Sequence, residues 1–260
     1  MTVTARPRDP SEPFKTSDAV VAVITTCYNQ EDLIERNLAS VRDQATAAKV
    51  YHVIADDGSA DASPLILRKW EAEHDHIRVV ECTNRNVAGA FNAALLAVPP
   101  DAEYIVVIGG DDYLADNFVE ECLWALGDAD MVVPGMRREK YPGHNARLEM
   151  PRAQHPTAQQ VWEWRTTYAW AVALFRRECL VETGGFHQVT EGDCDWDMWI
   201  DLVRRGYAFA YTDKTWFYYV HVPTSLNRTK TKEIWDEHRR EMCRHHVGFR
   251  TLPGLEWEKA

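Results

Sequence analysis

The chain has 260 residues, 45% hydrophobic and 27% charged, enough to fill one sizeable core and keep the surface wet, so a disordered or fibrous chain is excluded. Twenty-nine basic against 40 acidic side chains leave a formal charge of -11, which argues against affinity won from a phosphate backbone, and nucleic acid is not an expected partner. Six scattered cysteines lack the spacing of a zinc site or the density of a disulfide scaffold and read as reduced thiols, and no apolar run approaches the roughly 18 residues of a membrane span, so the sequence predicts a soluble, cytoplasmic protein with no integral membrane segment.

In chain order, residues 1–18 are polar and proline-rich and are expected to form a flexible tail. The run AVVAVITT, residues 19–26, is apolar and β-branched, as in a strand buried on both faces of a parallel sheet. Residues 31–44 place Leu33, Ile34, Leu38 and Val41 on one helical stripe. The alternation recurs as a strand over 50–55, a helix over 63–70, a strand over 77–81, a short helix over 91–97 and a strand over 104–108. Phe118, Val119, Cys122, Leu123 and Leu126 then mark another helix, and residues 131–134 another strand. This pattern predicts an α/β fold, a single Rossmann-like domain with a mostly parallel central sheet flanked by helices. Residues 135–167 lose periodicity and are expected to be a mobile loop over a site. Order returns at 168–175, in a helix over 195–205 and in short aromatic strands over 207–220, and residues 228–260 are expected to hold a C-terminal helix and tail.

Two acidic sequences fall directly after predicted strands, Asp56-Asp57-Gly58-Ser59 and Asp111-Asp112. Open α/β sheets bind ligands in the crevice beyond the carboxyl ends of their strands. Such residues also serve as turns and helix caps, and either site alone reads as well that way. Together they concentrate negative charge where a cation would offset the repulsion, and magnesium or manganese held by few carboxylates, water and a diphosphate is the usual solution. No GxxxxGK[ST] or GxGxxG loop is present to cradle phosphates with backbone amides.

From residue 19 to 227 the order of these motifs resembles family 2 of the GT-A glycosyltransferases. The resemblance is carried by Thr26-Cys27-Tyr28-Asn29 with Glu31, Ser40-Val41 and Gln44, by Asp56-Asp57-Gly58-Ser59-Ala60-Asp61, and by the stretch from Asn84 to Asn92. It continues through Asp111-Asp112, Gly184-Gly185-Phe186, Asp195-Trp196-Asp197-Met198-Trp199 and Tyr218 to His221. It implies a nucleotide-sugar-binding half over 19–134 and an acceptor-binding, catalytic half over 135–227. Thr26, Tyr28, Asn29, Asp57 and Asp111 would bind the donor, a UDP-sugar by preference, with Arg85 a secondary phosphate contact that reads more plainly as an exposed arginine at a turn. Asp112, Asp111 and His221 would hold Mn2+ or Mg2+, with His221 equally readable as a histidine satisfied by a backbone carbonyl. The family's usual DxDD has its first acid where this chain has Gly109, and Cys194 stands where Glu is common.

Asp195 is the expected general base that takes the proton of an acceptor hydroxyl in an inverting transfer, with a helix N-cap as the plainer alternative and Asp193 and Asp197 as rivals. Trp162, Trp164, Trp170 and Trp196 offer flat faces for a saccharide or other hydroxyl-bearing acceptor, although most such residues are core. Two other readings stand beside this one. Gly109 and Cys194 motivate a nucleotide-sugar-binding module with impaired chemistry, and a sugar nucleotidyltransferase would need a glycine-rich phosphate loop that VITTCYNQED does not offer.

Overall fold

β-Branched side chains suit a pleated surface buried on both sides, and β1 (Val20–Cys27) is made of them, with Val21, Ala22, Val23 and Ile24 fully buried. The computed structural model describes residues 15–83, 85–140, 147–150, 172–187 and 193–222, with positions 157, 160, 233, 234, 237, 238, 240 and 241. After β1 come α1 (Ile34–Arg42), β2 (Lys49–Asp56), α2 (Ser63–Glu73), β3 (Ile77–Glu81), α3 (Asn86–Leu96), β4 (Tyr104–Gly109) and the short β5 (Tyr113–Leu114). The second part runs α4 (Phe118–Leu126), β6 (Met131–Lys140), β7 (Arg147–Glu149), β8 (Ala173–Arg176), α5 (Arg177–Glu182), α6 (Cys194–Arg204) and β9 (Phe209–His221).

Among the described residues these strands form one sheet in the order β3-β2-β1-β4-β8-β6-β9-β5, with β7 paired to β6. The four strands from β3 to β4 are parallel, but β8 lies antiparallel to both β4 and β6, and β5 lies antiparallel to β9. β6 and β9 are parallel over a long register, so the central sheet keeps the expected parallel pairings and is mixed through its shorter antiparallel ones. Hydrophobic periodicity reports which face a strand buries and carries no sign of the direction of its partner.

The helices cover both faces. Ile34 and Leu38 of α1 and Leu67 and Trp70 of α2 pack with Cys27, Ile54 and Ile77 into one cluster. The small residues Ala88, Ala90 and Ala94 bring α3 close to β1 and β2, and the expected stripe of α4 is buried against β6 and β9. Those contacts belong to the larger core.

Four boundaries differ from the sequence reading. The tail ends before Asp18, because Thr16–Asp18 form a 3-10 turn whose Thr16 hydroxyl donates to Glu120 at 2.9 Å. The short helix expected at 91–97 begins at Asn86. The loop expected from Gly135 begins later, because β6 continues to Lys140 in register with β9. The short aromatic strands of 207–220 are one strand of 13 residues, paired to β6 over 209–211 and again over 216–221 across a register shift. No helix among the described residues is long and apolar enough to cross a membrane.

Candidate active site

The register of the parallel strands sets Cys27 opposite Asp56 and Thr26 opposite Gly109. The carboxyl ends of β2, β1 and β4 therefore emerge side by side, and Asp57, Tyr28 and Asp111-Asp112 follow directly from them. The Asp57 amide donates to the Cys27 carbonyl at 2.8 Å. Asp57 is 6% exposed, and its Oδ1 accepts the Arg85 amide at 2.6 Å. Arg85 thus meets Asp57 through its backbone, and its residue is otherwise exposed. Tyr28 is 52% exposed, a large aromatic ring left in water beside a buried carboxylate. Asn29 sits at φ 52°, in the left-handed region that asparagine tolerates. Its Oδ1 accepts the Ala60 amide at 2.8 Å and its own amide donates to Ser59 Oγ at 2.9 Å, so it ties the loop after β1 to the loop after β2.

The turn after β4 is close-packed. The Gly110 amide donates to the Thr26 carbonyl at 2.9 Å, and a Cβ at Gly110 would lie 2.9 Å from that same oxygen and 2.3 Å from Gln30 Oε1. Only glycine fits there. At Gly109 a Cβ would lie 2.7 Å from Asp111 Oδ1, so the Asp111 carboxylate folds back over the position where the family's motif has its first acid. Asn37, fully buried on α1, donates to the Gly109 carbonyl at 3.1 Å and the Asp112 carbonyl at 2.9 Å. Ser40 Oγ accepts the Leu114 amide at 3.1 Å, and Gln44 bonds the Ala115 carbonyl at 2.8 Å and the Val119 amide at 2.9 Å. Asn37 was not singled out by the sequence reading, although a polar residue inside the apolar stripe of Ile34, Leu38 and Val41 is the signal that could have found it.

Asp112 is 5% exposed, Asp111 is half-buried, and Asp112 Oδ1 accepts the Val220 amide of β9 at 2.8 Å. Burial raises the pKa of both carboxyls. For Asp112 burial is the larger cause, and the neighbouring Asp111 charge adds to it. His221 follows Val220 in β9, where its Nε2 lies 3.4 Å from an Arg138 guanidinium nitrogen and its ring meets the edge of Tyr219. Among the described residues no three His, Cys, Asp or Glu side chains come together to hold a metal. The expected set of Asp111, Asp112 and His221 is therefore not assembled; two adjacent carboxylates are. A half-buried carboxylate beside a buried one still fits a hard divalent ion, which takes one or two carboxylates and fills its remaining positions with water and phosphate oxygens.

At the start of α6 the N-cap is Asp193, and Asp195 is inside the first turn, so Asp195 is not the cap. Asp193 and Asp197 are both fully buried, whereas Asp195 is half-buried. Cys194 is 2% exposed and burial raises its thiol pKa, and burial pushes the Cys27 and Cys179 thiols up to about 12, so none of these thiols is a ready nucleophile. Trp196 is 4% exposed and belongs to the core, which corrects its reading as an acceptor platform: its faces are covered by packing. Trp162, Trp164 and Trp170 lie outside the described residues.

A glycine pair ahead of α6 completes the geometry. Gly184 and Gly185 both have φ 82°, and a Cβ on Gly185 would lie 2.4 Å from Asn92 Oδ1. That close approach lets Asn92 of α3 pair with the backbone of Phe186 twice, accepting its amide at 2.8 Å and donating to its carbonyl at 2.7 Å.

Comparison with known proteins gives this arrangement relatives. A family model described as glycosyl transferase family 2 matches residues 22–184. The succinoglycan biosynthesis protein ExoA of Rhizobium meliloti (strain 1021) is 27% identical over 90% of this chain and 72% of its own length. Another relative, from Bacillus subtilis (strain 168), is 31% identical over 44% of this chain, and the chain spans about a third of that protein's length. Among solved structures, S. aureus TarS 1-349 in complex with UDP-GlcNAc superimposes with a TM-score of 0.65 at 15% identity, covering 86% of this chain and 66% of that 1-349 chain. The mannosyltransferase PcManGT from Pyrobaculum calidifontis, in complex with GDP-Man and Mn2+, gives 0.64 at 20% identity, covering 88% of this chain and 64% of its own. At those identities the likeness is one of fold, and the fold is GT-A.

Proposed function

We propose that this chain, which belongs to glycosyl transferase family 2, moves a sugar from a nucleoside-diphosphate sugar to an acceptor hydroxyl with inversion at the anomeric carbon. The observation that carries the reading is the gathering of Tyr28, Asp57 and Asp111-Asp112 at the carboxyl ends of three adjacent parallel strands. Tyr28 offers its exposed ring to the base. Asp57, held by the Arg85 amide through Oδ1, accepts from the base or ribose, and Thr26 lines the same end of the sheet. The relatives solved with UDP-GlcNAc and with GDP-Man and Mn2+ support a nucleotide-sugar donor, with uridine favoured.

Asp112, with Asp111, is the site we assign to Mn2+ or Mg2+; when bound, such an ion neutralises charge on the departing diphosphate. Asp195 takes the proton of the acceptor hydroxyl as its oxygen bonds to the anomeric carbon. The bond to the diphosphate breaks in the same displacement and its electron pair leaves with the nucleotide, so no covalent enzyme intermediate is required. The treatment of the three aspartates supports Asp195 over its rivals, because Asp193 and Asp197 are buried and Asp195 keeps access to solvent.

Gly109 weighs less against activity than the motif alone suggests, since the Asp111 carboxylate occupies the space beside it. A thermal-shift screen of nucleotide-sugars with Mn2+ tests the donor, because a ligand that binds only the folded chain raises its apparent stability. The expected result is a larger shift with a UDP-sugar plus metal than with either alone. The anomeric configuration of the product, read by NMR, tests the stereochemistry, and retention would sink the direct displacement.

A further inference from the structure

Three carboxylates stand at alternate positions where α6 begins, and the two outer ones are fully buried. A carboxylate removed from water is costly unless a partner and hydrogen bonds meet it, and each of these has a histidine brought from elsewhere in the chain. Asp197 Oδ2 lies 2.7 Å from His187 Nδ1, and His187 Nε2 lies 3.1 Å from the Thr183 carbonyl. An imidazole facing acceptors at both nitrogens satisfies both only when doubly protonated. Asp193 Oδ2 lies 2.6 Å from Nδ1 of His238, 45 residues further along in the C-terminal segment. The Asp197 amide donates to the Asp193 carbonyl at 3.1 Å, so both pairs act on the same turn of helix, with Asp195 between them.

The His187 side is anchored further back. His187 follows Phe186, whose backbone is held by Asn92 of α3, and α3 begins beside Arg85, whose amide binds Asp57. One helix thus relates the donor end of the sheet to the first turn of α6. His238 joins the same frame through Asp193.

We propose that His187 and His238 are positioning residues that grip the first turn of α6 at Asp197 and Asp193 and hold Asp195 in place for proton transfer. The proposal rests on the reading of Asp195 as the base. Misplacing a reacting group by about 1 Å can cost on the order of 10²-fold in rate. His238→Ala and His187→Ala in the full chain are therefore expected to lower kcat by up to about that factor, with donor KM and calorimetric donor affinity unchanged. His238→Gln, which keeps a donor for Asp193, is expected to recover most of the loss.

Because the histidines act through Asp195, neither alanine substitution should lower turnover further in an Asp195→Asn background. Equal loss in both backgrounds overturns the proposal, as does wild-type kcat in folded alanine variants beside an inactive Asp195→Asn. Near-normal turnover in Asp195→Asn alone removes the base reading, and this proposal with it. Should His238→Ala fail to fold, His238→Leu/Asp193→Leu carries the test, since an apolar pair of similar volume avoids an unpaired buried charge. A folded double variant with low kcat supports the grip, and one with wild-type kcat overturns it.

Discussion

The acidic pair after β4 and the acidic trio at the start of α6 are built from the same side chain, and the fold compensates them in opposite ways. Burial raises the pKa of both Asp111 and Asp112, the Asp111 charge adds to it at Asp112, and the amides that lower them, among them that of Val220 on Asp112, do not offset this. Asp193 and Asp197 are more deeply buried, yet each has a histidine within 2.7 Å. The contrast teaches that burial alone does not mark a ligand site. A carboxylate cluster that the protein leaves in repulsion is suited to a cation from outside, and one whose buried members are met by histidines serves as architecture around the half-buried Asp195.

The largest expected effect separates the two clusters by activity. Asp195→Asn should lower kcat by about 10²–10⁴, the usual worth of a general base, while calorimetry finds donor affinity retained. Asp112→Asn should do the reverse, weakening metal-dependent donor binding by at least the about 10–100-fold that loss of an outer-shell partner costs a metal site. Titration of the donor with and without Mn2+ reads this directly. Equal affinity in the two titrations of the unaltered protein would erase the distinction drawn here. The same substitution should raise the melting temperature of the metal-free protein near neutral pH, because it removes an uncompensated charge and leaves Oδ1 to accept the Val220 amide.

Two glycines sharpen the picture of the β4 turn. Gly110→Ala meets a backbone carbonyl and should destabilise by about 1–3 kcal/mol in denaturant unfolding, the typical cost of overpacking. Gly109→Ala meets only the end of the flexible Asp111 side chain, so its stability should hardly change while metal affinity falls.

The smallest effect is in pH dependence. Unfolded aspartates titrate near 3.8 and the folded pair higher, so the pair costs nothing below 3.8 and destabilises the metal-free chain as pH rises through its folded range. For His187 the Asp197 hydrogen bond is the main cause of a pKa raised above 6.5. Its stabilisation is complete below 6.5 and lost as pH rises through the folded value. The stability gap between the unaltered protein and His187→Asn should therefore narrow from pH 6 to pH 9. A gap that stays constant would mean the histidine is held by packing alone.

How much of this was legible depended on the distance over which the information is written. Ile34, Leu38 and Val41 of α1, and the five apolar residues of α4, announce their helices because side-chain period is a local property. Asp57 and Asp111-Asp112 could be read as a site because each follows directly from a buried strand. Asn37 was half-legible, a polar interruption whose partners at Gly109 and Asp112 the spacing does not name. Trp196 misled, because a ring that packs in the core and one that stacks on a sugar have the same local sequence.

The chain's own order of residues was enough to determine the α/β alternation and the family. Strand direction, the mixed sheet, the Asp111 carboxylate over Gly109 and the two histidines on Asp193 and Asp197 were decided only in three dimensions. His238 and Asp193 are 45 residues apart, and Asn92 and Phe186 are 94 apart. No periodicity spans such separations, because these contacts arise only once the helices and strands have packed against one another.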